Sequence, residues 1–474
     1  YADDMIVLAK NGACLQDKLD RLGEVLEVSG MAINAKKSRS ISIARDGRRK
    51  CLLLLPNDFT IQGDTISHMT VTDTYRYLGL QFGWKGRVAP KQTCEAMFML
   101  CELSAAPLKP YQRLDILKNF LVPRLLHSLI LGGAHRKTML KLDRLIRLNV
   151  RSWMRLPKDT SLGLLHSTIK YGGLGIPCLS VSVPLYQRKR LQKLCNSSRL
   201  LDKTIMSLPS SHSILRSVNR PCKIGSSVVT SAAEVKFAWR DFLNQSVDGR
   251  DLNLFDIDPG SHRWLTVPEN VFPRLHLRGI QLRAGVLSTK SRATRGRRTD
   301  TTNVQCRGLC RQIETLAHIE QVCEVTHDVR CARHNRVLKK LERVLKKKVG
   351  SSWIEPIIPT EKTFIKPDLV VKNNHTVTVM DVSVVSGYRM EETWRLKVRK
   401  YSSPENAQAI ERATGVDGPL VHLPVVLSFK GLLYGPSGRG LRGFGLSERD
   451  IGDLCLLTIQ GSLNCYDMYT RGTC

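Results

Sequence analysis

The spacing of hydrophobic positions changes several times along the chain, which predicts a series of different folding units rather than one repeated unit. From residue 1 to about 95, short strand-like runs alternate with a single helix that ends at Gly30. The apolar stripe of this helix consists of Leu15, Leu19, Leu22, Val25 and Leu26. This first stretch is therefore predicted to be α+β.

Residues 96–215 have mainly helical spacing and predict a helical region. Its strongest pattern is formed by Leu140, Leu142, Leu145, Ile146, Leu148, Val150 and Trp153. Residues 216–300 are richer in Ser, Arg and turn-forming residues, and they contain a strongly basic run at 290–298. We interpret them as a basic connector, in which this run is either a solvated loop or a contact with nucleic acid.

The last third of the chain changes its pattern twice more. Cys and His residues cluster between 306 and 334, and a basic helix follows with apolar positions at Leu338, Leu341, Val344 and Leu345. After Pro356, strand-like runs, a helix and a later run at 425–429 predict a small α/β domain. The chain is thus predicted to be multidomain α+β, with segments at 1–95, 96–215, 216–300, 301–350 and 351–474.

The charge of the chain narrows the class of partner. Lys and Arg number 73 against 42 for Asp and Glu, a formal net charge of +31, and the basic residues are spread along the whole sequence. Such a spread suits an extended polyanion, because each neutralised phosphate releases condensed counterions. No apolar run approaches the roughly 18 residues of a membrane-spanning helix, and no signal-peptide pattern opens the chain. Nucleic acid is therefore favoured over a membrane surface.

The first candidate site is the sequence Tyr1-Ala2-Asp3-Asp4. Two adjacent carboxylates before an apolar run suit a hairpin with acidic side chains at its tip. Phosphoryl transfer by two metal ions requires such a cluster, because hard cations such as Mg²⁺ take oxygen ligands. By itself, however, an Asp-Asp pair is more often a turn or a helix cap.

The second candidate site is Cys306-x₃-Cys310-x₇-His318-x₄-Cys323. Three thiolates and one imidazole are the ligand set that Zn²⁺ binds in a tetrahedron. The 14 cysteines of the chain are irregularly spaced, and we interpret them as reduced thiols, some of them metal ligands. His327 and Cys331 lie close enough in sequence to be spare ligands. The alternative is a set of buried cysteines beside a hydrogen-bonded histidine.

The third candidate site is a predicted hairpin. The β-branched runs at 369–371 and 377–385 flank the turn-forming sequence Asn373-Asn374-His375. If Asn374 and His375 are the central turn residues, the register places Asp368 opposite Asp381. Like charges in directly opposed positions are destabilising unless something offsets them, and a divalent cation would do so.

These two acids therefore suggest a metal-dependent phosphodiesterase site. A nearby lysine would stabilise the charge that develops in the transition state. Lys397 and Lys400 both lie on a predicted helix at 394–401, and Lys397 is the preferred candidate. The alternative is an exposed hairpin with two solvated acids.

In its first segments the chain resembles the reverse transcriptases of non-LTR retrotransposons. The resemblance rests on the Tyr1–Asp4 box, the sequence Gly30-Met31-Ala32-Ile33-Asn34 with Lys36, Lys37 and Ser38, Tyr77-Leu78-Gly79, Leu156-Pro157 and Gly172-Gly173-Leu174-Gly175. It implies that 1–95 is the C-terminal part of a polymerase palm, that 96–215 is a helical thumb, and that Asp3 and Asp4 hold catalytic Mg²⁺ or Mn²⁺.

The same resemblance has two further implications. Lys36 and Lys37 are expected to contact nucleic acid. The family also needs a third aspartate from an upstream strand, so a chain that starts at Tyr1 is expected to be a fragment that does not polymerise alone.

Towards its end the chain resembles the R-two-type elements, which insert into ribosomal RNA genes. Those elements carry a Cys-Cys-His-Cys motif before a restriction-enzyme-like endonuclease whose lysine sits on a helix after the second acid. The resemblance implies Zn²⁺ at Cys306, Cys310, His318 and Cys323 and a catalytic divalent metal at Asp368 and Asp381. It extends through Arg330, Arg333 and His334, which we expect to contact nucleic acid, although a solvated basic helix is the alternative.

The resemblance thus implies an RNA-directed DNA polymerase, incomplete here, with a site-specific DNA endonuclease. In target-primed reverse transcription the endonuclease nicks double-stranded DNA, and the polymerase extends the exposed 3′ end on the element's RNA. The expected partners are this RNA template and target DNA in ribosomal RNA genes, and the expected location is the nucleus. The alternatives are a catalytically inactive nucleic-acid-binding derivative and a zinc module in a structural scaffold.

Overall fold

A computed structural model describes residues 4–88, 92–132, 134–219, 221–252, 256–295, 304–349, 351–361, 363–373, 376–415 and 419–473. Helices and strands are mixed, in agreement with the predicted α+β class. The chain forms two compact units. The first comprises Tyr1–Cys101, Asn119–Arg144 and Leu179–Asn219, and the second comprises Glu102–Lys118, Leu145–Cys178 and Arg220–Cys474. Residues 96–215 contribute to both units, so the predicted domain borders remain predictions.

The N-terminal part of the first unit combines one helix with short strands. Helix α1 (Gly12–Val28) starts where the Asn11 side chain accepts a hydrogen bond from the Cys14 amide, and it ends before Gly30, whose φ of +67° explains the glycine. Strands β1 to β7 are Ser42–Asp46, Cys51–Leu55, Phe59–Ile61, Asp64–Ile66, Tyr75–Tyr77, Leu80–Gly83 and Gly86–Arg87. Leu19 packs in a core with Phe59, whereas Val25 is 63% exposed, so only part of the predicted stripe is buried.

The predicted helical region is confirmed. Helices α2 to α9 are Gln92–Ala105, Pro110–Ile116, Val122–Leu131, Arg136–Trp153, Leu162–His166, Leu179–Cys195, Leu200–Ser207 and Pro209–Val218, with a π-helical stretch at Leu117–Leu121. In α5 the side chains of Leu142, Ile146 and Val150 are fully buried, but Leu140 and Leu148 are nearly half exposed. Within the described ranges, no helix is long and apolar enough to cross a membrane.

Of the predicted basic connector at 216–300, residues 216–219 belong to the first unit, and the described residues of 221–295 pack into the second unit. They contain β8 (Cys222–Ile224), β9 (Ser227–Val229) and helices α10 to α13 at Ala232–Gln245, Arg263–Thr266, Pro273–Arg283 and Lys290–Ala293. Arg283 is 1% exposed and donates hydrogen bonds to the carbonyls of Lys430 (3.1 Å) and Gly431 (3.0 Å). In the predicted basic run, Arg292 pairs with Asp248 at 2.9 Å, and residues 296–298 lie outside the described residues. Basic side chains here are therefore partly structural.

The C-terminal part of the second unit is a four-stranded sheet with helices on both faces. Its strands are β10 (Ser351–Ile354), β13 (Leu369–Asn373), β14 (Thr376–Val385) and β15 (Leu420–Ser428), in the order β10-β13-β14-β15, and β11 (Ile358–Pro359) pairs with β12 (Phe364–Ile365). Only the β14–β15 pair of this sheet is parallel. Helices α14 to α19 are Leu316–Gln321, His327–Lys346, Met390–Tyr401, Pro404–Thr414, Gly435–Gly443 and Glu448–Gly472.

Alternation along the strands divides this sheet between two cores. One core joins α15 and α19 to the face that carries Leu369, Met380 and Leu427. The other joins α16 and α17 to the opposite face, with Val370 and Val379. The predicted mixture of strands and helices after Pro356 is present, but it belongs to the larger second unit, so a separate domain at 351–474 stays a prediction. Both helix layers reach the strand that carries Asp381.

Truncating a side chain of the first of these cores tests the packing. Leu341 of α15 is completely buried, so Leu341→Ala should destabilise the second unit by about 2–5 kcal/mol through lost contacts and a cavity. Urea unfolding followed by tryptophan fluorescence measures this. Leu396→Ala, at a position in α16 that is 51% exposed, should change the free energy of unfolding by less than about 0.5 kcal/mol. Equal effects of the two substitutions would contradict the packing described here.

Candidate active site and candidate metal centre

The hairpin of β13 and β14 brings Asp368 and Asp381 together. Its register runs from Leu369 opposite Met380 to Asn373 opposite Thr376, which confirms the predicted pairing, although Asn374 and His375 themselves lie outside the described residues. One further step along this register places Asp368 opposite Asp381. The Oδ2 atom of Asp368 also accepts a hydrogen bond from the Val382 amide at 2.7 Å, which fixes it against β14.

Helix α16 adds a cation and a hydroxyl to this pair. The Lys397 ammonium donates to Asp381 Oδ1 at 2.7 Å, and the Tyr401 hydroxyl donates to Asp381 Oδ2 at 2.8 Å. The two residues lie one helical turn apart and so share a face. Lys400 instead lies 3.0 Å from the Tyr401 hydroxyl and over its ring. The Lys-x₃-Tyr spacing was visible in the sequence, but Tyr401 was not predicted.

Helix α15 supplies the partner of the other acid. The Nε2–H group of His334 donates to Asp368 Oδ2 at 3.0 Å and to the Val382 carbonyl at 3.2 Å. The structure places His334, 28% exposed, on a carboxylate of the acid pair, and its expected contact with nucleic acid stays a prediction. No local pattern could have predicted this contact, because it joins residues far apart in sequence.

The charges around the two acids explain how they stay close. The hydrogen bond that His334 donates to Asp368 raises the pKa of His334, although burial opposes this. Burial alone would raise the pKa of Asp368, but the hydrogen bond and charge of His334 hold it below its usual value. Burial, and then repulsion from Asp368, raises the pKa of Asp381 despite Lys397. The protein thus supplies an imidazole and an ammonium to offset two like charges.

This arrangement has the donors that a hard divalent cation needs. Asp368 and Asp381 present carboxylate oxygens from adjacent strands, and Asp381 is 4% exposed, so the pair lies at the edge of the core rather than on a solvated loop. A carboxylate oxygen has two lone pairs and can accept a hydrogen bond while it binds a metal. The alternative of an exposed hairpin with solvated acids does not fit this burial.

A second cluster is formed by Cys306, Cys310, His318 and Cys323, whose ligand atoms all lie within 4.8 Å of one another. The Cys323 sulfur lies 3.8 Å from that of Cys306 and 3.6 Å from that of Cys310. Tetrahedral zinc with bonds of about 2.3 Å separates two sulfur ligands by about 3.8 Å. The spacing of the thiols therefore suits such an ion.

The histidine of this cluster is oriented as a ligand. Its Nδ1 lies 2.9 Å from Gln312 Oε1, while its Nε2 is buried without a hydrogen-bond partner. Burial lowers the pKa of His318, so the ring is neutral at pH 7, as a metal ligand must be. Burial, with hydrogen bonds to the other thiols, raises the pKa of Cys323 to about 12. Only a bound cation would let all three thiols ionise together.

The loop between the first two cysteines is tightly built. A Cβ atom on Gly308 would lie 2.7 Å from a methyl carbon of Val325, so the position requires glycine. The Tyr469 hydroxyl lies 3.2 Å from the Cys306 sulfur and donates to Glu314 Oε2 at 2.8 Å, a support that sequence analysis missed. His327 and Cys331, considered as spare ligands, lie on the exposed start of α15 and do not join the four.

Two arginines expected to contact nucleic acid have structural partners instead. Arg333 is 3% exposed, and its guanidinium pairs with Glu320 at 2.8 Å, so the expected contact is wrong for this residue. Arg330 donates to the carbonyls of Gln321 and Cys323 and closes the Cys/His loop. Arg333 is therefore not part of a solvated helix face, whereas Arg330 is partly exposed and its contact with nucleic acid stays a prediction.

The N-terminal candidate residues stay predictions. Asp3 lies outside the described residues, and Asp4 is exposed. Lys36 and Lys37 are also exposed, in a 3₁₀ turn (Ala35–Lys37) that the Asn34 side chain caps through the Lys37 amide. Exposure is compatible with contact to nucleic acid but does not test it.

Comparison with known proteins identifies relatives along the whole chain. No protein-family model matches. The chain is similar to the retrovirus-related Pol polyprotein from the type-2 retrotransposable element R2DM of Drosophila melanogaster, with 32% identity over 100% of this chain and 45% of that protein. It is also similar to the Pol polyprotein from the type-1 retrotransposable element R2 of Bradysia coprophila, with 30% identity over 98% of this chain and 53% of that protein.

A third relative is a shorter Pol polyprotein sequence from the type-1 retrotransposable element R2 of Popillia japonica. It is 30% identical over 66% of this chain and 69% of its own length. The chain spans about half the length of the first two relatives. The similarity therefore covers nearly all of this chain but only part of those proteins.

The hydrogen bond between His334 and Asp368 makes stability depend on pH. Because the folded-state pKa of His334 is raised, its protonated form stabilises the fold fully below the unfolded value of about 6.5, and this contribution is lost as the pH rises through the folded value. His334→Gln, which keeps a neutral donor, should therefore destabilise the chain more at pH 5.5 than at pH 9. Urea unfolding without added divalent metal measures this, and a pH-independent difference would contradict it.

Proposed function

Because the chain belongs to the Pol polyproteins of R2 retrotransposable elements, we propose that its second unit carries a metal-dependent DNA endonuclease that nicks target DNA for reverse transcription. One observation carries the proposal: two opposed, largely buried aspartates, one of which accepts a hydrogen bond from a lysine. Paired acids with shifted pKa values beside an ammonium are common at functional sites, and a divalent cation with a phosphodiester suits this set of groups.

Each side chain has a role in this proposal. Asp368 and Asp381 would hold a divalent cation, Mg²⁺ or Mn²⁺, which polarises the scissile phosphate and lowers the pKa of an attacking water. Lys397, whose ammonium donates to Asp381 Oδ1, would stabilise negative charge that develops on the phosphate. Tyr401 holds the second oxygen of Asp381, and His334 orients Asp368.

We further propose that Cys306, Cys310, His318 and Cys323 bind one zinc ion. The unpartnered Nε2 of His318 and the distances between the sulfurs support this assignment. The four ligands are all protein side chains and are largely buried, which is typical of a structural rather than a catalytic zinc site.

The polymerase assignment is a proposal about the whole Pol polyprotein. Asp3 and Asp4 would bind catalytic Mg²⁺ or Mn²⁺ in an RNA-directed DNA polymerase, and residues 1–95 and 96–215 would be its palm and thumb. Element RNA and double-stranded DNA of ribosomal RNA genes would be the partners, with the nucleus as the site of action. The relatives' names and the net charge of +31 support a nucleic-acid partner.

Cleavage of plasmid DNA by the full chain tests the endonuclease. The chain should nick supercoiled plasmid with Mg²⁺ or Mn²⁺, and Asp381→Asn should lower the rate at least about 100-fold, because it removes the negative charge of a metal ligand. Asp453→Asn, at a partly exposed acid paired with Lys340, is the matched control and should cut normally. Binding of DNA without cleavage at any metal concentration would favour the inactive nucleic-acid-binding derivative.

The same assay separates the two lysines. Lys397→Met should lower the cleavage rate about 100-fold, because it removes charge next to Asp381, and Lys400→Met should lower it less than about tenfold. The reverse order would assign the catalytic role to Lys400.

Metal analysis tests the Cys/His site. The purified full chain should contain one zinc ion per molecule, and Cys323→Ser should lose it and lower the melting temperature, because the ion joins segments that have little other core. Cys331→Ser, an exposed cysteine outside the cluster, should keep the ion. Full zinc content in Cys323→Ser would reject the assigned ligands.

A further inference from the structure

Helix α15 contacts the segment that carries the Cys/His cluster and the acid pair through two neighbouring residues. Arg333 faces the segment that carries the Cys/His cluster, while its neighbour His334 contacts Asp368. Successive helical residues point about 100° apart, so one helix can present side chains to both sites. The rotation and position of this turn of α15 therefore determine whether His334 reaches the acid pair.

The Arg333 side chain is held at three points. One terminal nitrogen donates to Glu320 Oε2 at 2.8 Å and to Ser462 Oγ at 2.9 Å, and the other donates to the Glu320 carbonyl at 2.9 Å. Both ion-pair partners are buried, with Arg333 3% and Glu320 0% exposed. A guanidinium bound by several acceptors in fixed directions has little freedom to move.

Helix α19 is shaped to admit this arginine. A Cβ atom on Gly461 would lie 2.5 Å from Arg333 Cγ, so only glycine leaves room for the aliphatic part of the side chain. The next residue, Ser462, provides an acceptor for the guanidinium. Three helices, α14, α15 and α19, thus meet at one buried cation.

A buried ion pair is poorly explained by stability alone. Desolvation of both charges consumes most of their attraction, and apolar side chains of similar volume commonly stabilise a core as well or better. An arginine does fix the orientation of its side chain, because the N–H groups of the planar guanidinium must point at their acceptors. A fixed orientation of Arg333 is useful here, because the next residue, His334, must reach Asp368.

Glu320 connects this geometry to the Cys/His cluster. It lies on α14 between His318 and Cys323, and it gives Arg333 both a carboxylate oxygen and its backbone carbonyl. The fold of the Cys/His loop therefore fixes the position of Glu320. Glu320 in turn fixes the position of the Arg333 guanidinium. His334 follows directly in the chain.

We propose that Arg333 is a positioning residue that couples the Cys/His module to the acid pair, so that His334 holds Asp368 in the arrangement that binds a divalent cation. This inference rests on the proposed endonuclease function. It assigns Arg333 no contact with substrate or metal. Its effect is on the affinity of Asp368 and Asp381 for the cation.

Binding of Mn²⁺ by the zinc-loaded full chain tests this, measured by isothermal titration calorimetry, with the Mg²⁺ dependence of plasmid nicking measured in parallel. Arg333→Met should weaken Mn²⁺ binding about tenfold and raise the half-saturating Mg²⁺ concentration by a similar factor, as is common when a ligand's support is lost. Ser462→Ala, which removes one of three hydrogen bonds, should weaken binding about threefold. Zinc content and DNA affinity should stay unchanged, which a general loss of structure would not allow.

Two further variants complete the test. Arg343→Met removes the same charge from an exposed position of α15 and should bind Mn²⁺ normally. If Arg333→Met does not fold, Arg333→Lys and Ser462→Ala test the proposal in its place. Wild-type affinity for Mn²⁺ in both variants would overturn the proposed role of Arg333. Absence of Mn²⁺ binding that depends on Asp381 in the unaltered chain would overturn the endonuclease itself and this inference with it, so the two failures are distinguishable.

Discussion

The C-terminal half of this protein depends on keeping two like-charged carboxylates opposite each other in a mostly buried hairpin. Repulsion and desolvation both oppose this arrangement, and the raised pKa of Asp381 reflects that cost. The protein offsets it with His334 on one acid and Lys397 on the other. His334 lies on α15 and Lys397 lies on α16, and these helices pack on opposite faces of the sheet. Both helices must therefore be in place for the two acids to be neutralised.

Other buried charged groups also connect segments of this unit that are distant in sequence. Arg283 binds the carbonyls that follow β15, and Glu314 lies between Arg307 and Tyr469 beside the Cys/His cluster. Each charge is matched by several partners, as buried charges require. The described residues of 221–295, the Cys/His module and the sheet consequently form one packed unit, in which several basic residues have structural partners.

The chain belongs to the Pol polyproteins of R2 retrotransposable elements. The family name does not say which residues carry an activity, and the geometry offers candidates. The relatives' names identify a retrotransposon Pol polyprotein, and the proposed endonuclease would use the acid pair and Lys397 to nick DNA. The Cys/His cluster belongs to the same unit, and its four largely buried side chains suit a structural ion.

The sequence by itself determined the local features: the α+β class, α1 with its end at Gly30, the hairpin register that opposes Asp368 and Asp381, and the four-residue ligand set. Turn chemistry, alternation and ligand spacing act over a few residues, so they can be read locally. Only the tertiary structure decided that Lys397 rather than Lys400 lies on Asp381, that His334 holds Asp368, and that Arg333 is buried. Those contacts depend on the rotation of α15 and α16 about their axes, because neighbouring residues of a helix point about 100° apart. Packing against segments that are distant in sequence fixes that rotation.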